Sequence, residues 1–204
     1  YVFFLACAGH LKTVVDDPSA AGTFPIGCLD DDGQPVGSDS FVPGYTQIYA
    51  FEDGRLNANP VITGMSLDGE LMPEDAALAP SVPLCDVPPQ DRILPPSCSR
   101  EDPFVACTGY DVKVEVPEDV AELDPEAKGE AGQALKEAVW VDYYTDGGDF
   151  NGDIKLVSEP TSGYSDPHEV KWIPPAEPGL ATIWAVVHDA RGGSSVVVRQ
   201  VRVE

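Results

Sequence analysis

The segment from Thr182 to Val203, TIWAVVHDARGGSSVVVRQVRV, constrains this chain more than any other, because its apolar residues alternate on both sides of a short polar break. A period of two belongs to a strand, whose successive side chains leave on opposite faces, and does not match the repeat of about 3.6 residues of a helix stripe. Ile183, Ala185 and Val187 are therefore expected on a core face, and Thr182, Trp184, Val186 and His188 on the other, which brings Trp184 to the surface. In the break, DARGG offers residues that accept the positive φ of a tight hairpin, and Asp189 is placed to bond the backbone amides of its own turn.

Strand-like runs recur upstream. YDVKVEV sets Tyr110, Val112, Val114 and Val116 against Asp111, Lys113 and Glu115, and AVWVDYYT, DIKLVS and HEVKWI are β-branched or aromatic runs bounded by Gly, Pro or Asp. With VITGMSLDGELM and the two late runs they make seven strands over residues 59–204, and turn-punctuated strands at that spacing predict a sandwich. Residues 1–58 hold three more runs, Tyr1 to Ala8, Phe24 to Leu29 and Tyr45 to Phe51, separated by the turn formers DDPSAAG and DDDGQPVGSDS. Three strands are too few to close a sandwich, so these are expected to end a first domain whose earlier strands precede Tyr1. The linker DGRLNANP marks the joint. Within the second domain, the Pro- and Cys-rich insertion over 75–108 is expected to be a long surface loop, and the acidic insertion over 117–136 to hold a short helix over Gly132 to Glu137. The fold class is all-β, in tandem, with the first domain incomplete.

Composition narrows the partners. Apolar residues make up 43% of the chain, enough for a core, yet 35 acidic residues against 12 basic ones leave a net charge of −23. That charge repels phosphate backbones and anionic membrane faces, which excludes nucleic acid and favours cations or basic protein surfaces. No apolar run is long enough to span a bilayer, and YVFFLACAGH has the length of a buried strand, so an export signal or lipid anchor is expected upstream. The five cysteines form no CxxC pair and have no histidine at zinc-finger spacing, which leaves disulfides and an oxidising, extracytoplasmic compartment. Cys7 with Cys28 and Cys98 with Cys107 each bracket a short loop and are the expected pairs, with Cys85 left over.

The closing third also resembles PKD-like and related bacterial immunoglobulin-like domains. The likeness lies in Tyr143 and Gly148 of YYTDGGDF, Trp172 and Pro175 of KWIPPAEPG, Gly179, and the alternating run that ends in Asp189, Gly192 and Gly193. It covers the last sixty-odd residues strongly and the second domain loosely, and it implies an immunoglobulin-like β-sandwich. By the same resemblance, NANPVITG is the joint between successive domains and TQIYAFEDG the closing strand of the preceding one. The two insertions are not part of the family's minimal pattern.

Chemistry is sparse. No GxSxG elbow is present, and of the three histidines, His10, His168 and His188, the last precedes Asp189 on a strand, which sends their side chains to opposite faces. A catalytic role is therefore assigned to no residue. Calcium is the sharper metal reading, because a hard cation takes roughly six to eight oxygen ligands and acidic loops supply them. Asp146, Asp149, Asn151 and Asp153 of DGGDFNGD are the best donors, with Asp30 to Asp32 the other candidates, although neither has EF-hand spacing and solvated acidic turns are the plainer reading of both. For binding, Trp184 and Trp140 are the exposed aromatic candidates, while Trp140 and Trp172 also suit a sandwich core. The expected function is a non-enzymatic structural or protein-binding module, an accessory subunit of a cell-surface or envelope assembly. The rivals are an adhesion or carbohydrate-binding module and an accessory domain of a secreted hydrolase.

Overall fold

A computed structural model describes residues 2–13, 26–37, 40–46, 52, 56–88 and 107–204. The chain divides into two compact units, Tyr1–Glu52 and Asp53–Glu204. The division falls six residues before the joint expected at 58, because Asn57, Ala58 and Asn59 already bond to the second unit.

In the first unit, β1 (Val2–Cys7) pairs antiparallel with β4 (Phe41–Thr46), and β2 (His10–Thr13) with β3 (Ile26–Leu29). The disulfide Cys7–Cys28 ties β1 to β3, as the short loop between the two cysteines predicts. Asp30 Oδ1 accepts the amides of Asp32 and Gln34, so DDDG is a carboxylate-capped turn. Cys28 is the one buried apolar residue among the described residues of this unit. Two-stranded ladders are marginal alone, and here the crosslink does much of the holding.

The second unit is an all-β sandwich. One sheet runs in the order β14 (Gly163–Tyr164), β13 (Ile154–Glu159), β11 (Val139–Thr145), β16 (Gly179–Asp189), β17 (Ser194–Val203) and β7 (Ser81–Val82). The other runs β12 (Asp149–Phe150), β15 (Val170–Ile173), β8 (Tyr110–Glu115), β5 (Gly64–Leu67) and β6 (Glu70–Leu71). Inner faces of both fill one core, with Val141, Tyr143, Ile183, Ala185, Val187 and Val201 from the first sheet meeting Met65, Val112, Val114, Val170 and Trp172 from the second. The alternation read from residues 182–188 holds residue by residue, with Ile183, Ala185 and Val187 fully buried and the residues between them half-buried on the outer side.

Trp172 is wholly buried, and its Nε1–H donates to the carbonyl of Gly147 at 2.9 Å. The turn beneath it needs Gly148, which sits at φ 89° where a Cβ would fall on the carbonyl of Ile173. Asp189 behaves as its sequence suggests: Oδ1 accepts the amides of Arg191 and Gly193, both at 2.8 Å, across the β16–β17 turn.

Three expectations are corrected. Cys107 pairs with Cys85, not with Cys98, which lies outside the described residues; Cys85 is buried against Ile173, with Cys107 packed beside it. The segment 132–137 is not helical: β10 (Ala134–Lys136) pairs antiparallel with β9 (Leu123–Lys128) around a turn at Gly132, because six helix-favouring residues are too few to repay helix nucleation. The Pro-rich stretch is not wholly a surface loop, since its first part forms a single 3-10 turn (Ala76–Leu78) and the edge strand β7, whose Val82 enters the core.

Two disulfides mark an oxidising compartment. No helix among the described residues is long and apolar enough to cross a membrane.

Candidate functional site

Side chains that leave a strand opposite a buried neighbour must face outward, and in the six-stranded sheet these outward positions line up across four strands. The pairing register sets Leu156, Trp140, His188 and Ser194 in one row and Ile154, Asp142, Val186 and Val196 in the next. Tyr144, Trp184 and Val198 form the third row, followed by Thr182 beside Gln200. An antiparallel sheet with one solvated face normally carries polar residues there. This face instead exposes Ile154 at 60%, Val196 at 60%, Tyr144 at 55% and Leu156 at 45%, so it is an open apolar patch.

Both tryptophans expected at a surface lie on this face, and both are half-buried among their neighbours. Trp140 stacks on the His188 ring, with centroids 5.4 Å apart and planes 20° from parallel. His188 Nε2 lies 3.1 Å from Asp142 Oδ2, which makes Asp142, the one carboxylate in these rows, a partnered group. The Tyr144 hydroxyl is held above the usual phenol range, first by partial burial and then by the nearby charges of Asp142 and Asp153.

The terminal strands, β14, β7, β12 and β6, are each two residues long; β7 pairs only with Arg202 and Val203 of β17, and β14 only with Ser158 and Glu159 of β13.

The opposite sheet presents a polar groove of about 480 Å³ lined by Ser66, Asp68, Asp111, Lys113, Glu115 and Glu169. Three of its four carboxylates are engaged. Asp111 pairs with Lys171 at 2.9 Å, Glu115 accepts from Ser66 Oγ at 2.5 Å, and Asp68 accepts the Asp111 amide at 2.7 Å. Lys113 is held above its ordinary range chiefly by its hydrogen bond to Asp166, whose carboxyl that same bond depresses.

The four oxygen donors proposed for calcium are not brought together. Asp146 Oδ1 accepts the Thr182 amide on β16, Asn151 Oδ1 accepts the Lys171 amide on β15, and the Asp153 carbonyl accepts the Tyr143 amide. Among the described residues no three metal-ligating side chains converge. The histidines are dispersed as well. His10 pairs with Asp31 at 2.8 Å, and fully buried His168 places Nδ1 and Nε2 on the carbonyls of Ser165 and Val114.

No family model, curated protein or solved structure matches the chain. The face itself is the guide. Trp184 was legible from alternation; Trp140 was a surface candidate that suited the core as well, and Tyr144, Ile154, Leu156, Val196 and Val198 were not singled out. Their signal was the unbroken valine run at 196–198 and the Ala-Val-Val at 185–187, where apolar residues fill both faces of a strand.

Proposed function

We propose that this chain is a non-enzymatic, extracytoplasmic module of immunoglobulin-like, PKD-like type that binds another protein through the outer face of its six-stranded sheet, as an accessory part of a surface or envelope assembly. The observation that carries the reading is the open apolar face of the six-stranded sheet. Large exposed apolar patches on soluble proteins mark association sites. Aliphatic side chains outnumber aromatic ones here, which suits a protein surface better than a sugar, whose recognition leans on aromatic rings.

Support for the immunoglobulin-like part comes from the order of pairing. Strands β5, β8 and β15 form one sheet and β13, β11, β16 and β17 the other, which matches the immunoglobulin arrangement for the first, second, third, fifth, sixth and seventh strands and differs from the constant type in the fourth, β13, which pairs with β11. The rival hydrolase reading has less to rest on, since Asp111, Glu115 and Asp68 of the acidic groove are spent on a lysine, a serine hydroxyl and a backbone amide.

The test is photocrosslinking in the cells that produce the protein, with a photoreactive residue at Val196 and, as control, at Glu169 on the outer face of the other sheet. A covalent protein adduct from position 196 and none from 169 is expected. Equal labelling, or saturable glycan binding that is lost in Trp184→Ala, would overturn the reading.

A further inference from the structure

We infer that the uncovered edge of β17 takes up an extended segment of the partner protein as an added strand, which lies alongside Val196 and Val198 and widens the apolar face by one row. The inference rests on that face being a binding surface and goes further by naming the form and chemistry of what the partner presents.

Successive residues of a strand send their N–H and C=O to opposite edges, so one parity of β17 bonds β16 and the other looks away. The Arg202 and Glu204 amides donate to the carbonyls of Pro80 and Val82 on the β7 side, and the register between β16 and β17 runs unbroken from Ser194 to Val203. Even-numbered residues of β17 therefore point away from β16. Two contacts agree with this: the Ser194 amide donates to Asn59 Oδ1, and the Val198 carbonyl accepts Arg199 Nη1 at 2.8 Å. Between these two lie the Val196 N–H, the Val196 C=O and the Val198 N–H, and no described residue bonds to any of them. Strand β7 covers only the far end, at Arg202 and Val203.

An open row of backbone donors and acceptors is a template for a further strand. Room for one exists, since a groove of about 260 Å³ runs between residues 196–199 on one side and residues 62–64 with Glu74 on the other. A segment parallel to β17, the direction β7 already takes, uses every free group. One of its residues donates to the Val196 carbonyl and accepts the Val198 amide, and the residue two before it accepts the Val196 amide. Arg199 holds the next acceptor, which ends the slot there.

Side chains of the added strand alternate between two surroundings. One set extends the rows of Val196 and Val198, which are 60% and 41% exposed, and so is apolar. The other set faces the groove, where the Glu74 carboxylate is 89% exposed and lies 3.6 Å from Arg199, on a chain of net charge −23, and so is basic. The partner segment is an alternation of apolar and basic residues.

Amide hydrogen exchange of the full chain, read by NMR with and without a short peptide of alternating valine and lysine, tests this. In the free chain the Val196 and Val198 amides are expected to exchange at least about 100-fold faster than those of Val197 and Arg199, which face β16. Saturating peptide is expected to slow both at least about tenfold and to leave exchange in β8 and β15 unchanged. Val196→Pro removes one outward N–H and no bond to β16, and is expected to abolish the protection at Val198. Should Val196→Pro lose its near-ultraviolet circular dichroism, the same peptide N-methylated at its lysines, which lacks the donor for the Val196 carbonyl, is expected to give the wild-type chain no protection. Absence of protection at any peptide concentration overturns the inference, and so does equal protection in Val196→Pro or from the N-methylated peptide. Protection that grows with chain concentration alone puts a second copy on the edge and overturns it too. A photoreactive residue at Tyr144, two strands from this edge, separates the two readings in producing cells. A protein adduct at 144 without peptide protection leaves the face standing and the edge wrong; protection with no adduct at 144 or 196 does the reverse; if neither appears, both fail.

Discussion

Tyr143 leaves β11 toward the core, and its hydroxyl accepts the Val114 amide and donates to the His168 carbonyl, each at 3.0 Å. Through one oxygen it joins the two sheets to the loop before β15. Tyr143→Phe leaves a buried N–H and a buried C=O unpartnered, and a loss of about 1–3 kcal/mol in urea unfolding is expected. Burial raises the Tyr143 phenol, with the Val114 amide partly opposing it. A raised folded value means a contribution fully present below the ordinary tyrosine range of about 10 and lost as pH rises through the folded value, so the wild-type chain should lose an alkaline component of stability that Tyr143→Phe lacks. The pattern YDVKVEV announced Val114 as a core residue, but nothing local announced its bond to a tyrosine 29 positions later. Trp140 shows the same limit. Its residue type suits core and surface equally, and the His188 ring beside it decides the matter.

At the scale of elements, the hairpin of β9 and β10 is held at its stem by a cluster that sequence reading passes over. Arg191 Nε donates to Glu137 Oε2 at 2.6 Å and its Nη2 to Glu122 Oε2 at 2.5 Å, while Glu137 also accepts the Glu122 amide. Glu137 is 3% exposed, so its charge depends on Arg191. Arg191→Met strands that carboxylate, and a loss of about 3–5 kcal/mol is expected in chemical denaturation, much of it recovered by adding Glu137→Leu. The same cluster secures the joint. Asn57 Nδ2 donates to both Asp189 oxygens, the Ala58 amide to Glu122, and the Ser194 amide to Asn59 Oδ1, so residues 57–59 belong structurally to the β16–β17 turn. The acidic insertion over 117–136 is therefore partly a strut, and its Val120 and Ala121 reach the core. An acidic run looks solvated in sequence because the arginine that pairs with it lies more than fifty residues away.

Across the whole molecule the two units differ in what holds them. The sandwich has a core of Val, Ile, Met, Tyr and Trp drawn from both sheets, whereas the described part of the first unit buries Cys28 alone among its apolar residues and leans on the Cys7–Cys28 crosslink. Reduction should therefore unfold the first unit selectively. Amide hydrogen exchange with and without a reductant is expected to lose protection over β1 to β4 while β11, β16 and β17 stay protected; equal loss in both units would contradict this. The all-β class, the alternation of β8 and β16, the capped turn at Asp189 and the Cys7–Cys28 pair were written in the sequence alone, because each depends on residues close along the chain or on a period that one strand carries by itself. The partner of Cys85, the conversion of a helix-prone stretch into a strand, the dispersal of the oxygen donors around Asp146 and the apolar outer face were decided only by the tertiary structure. Each of those depends on which distant strand lies alongside, and pairing across a sheet brings together residues whose separation along the chain holds no record of their contact.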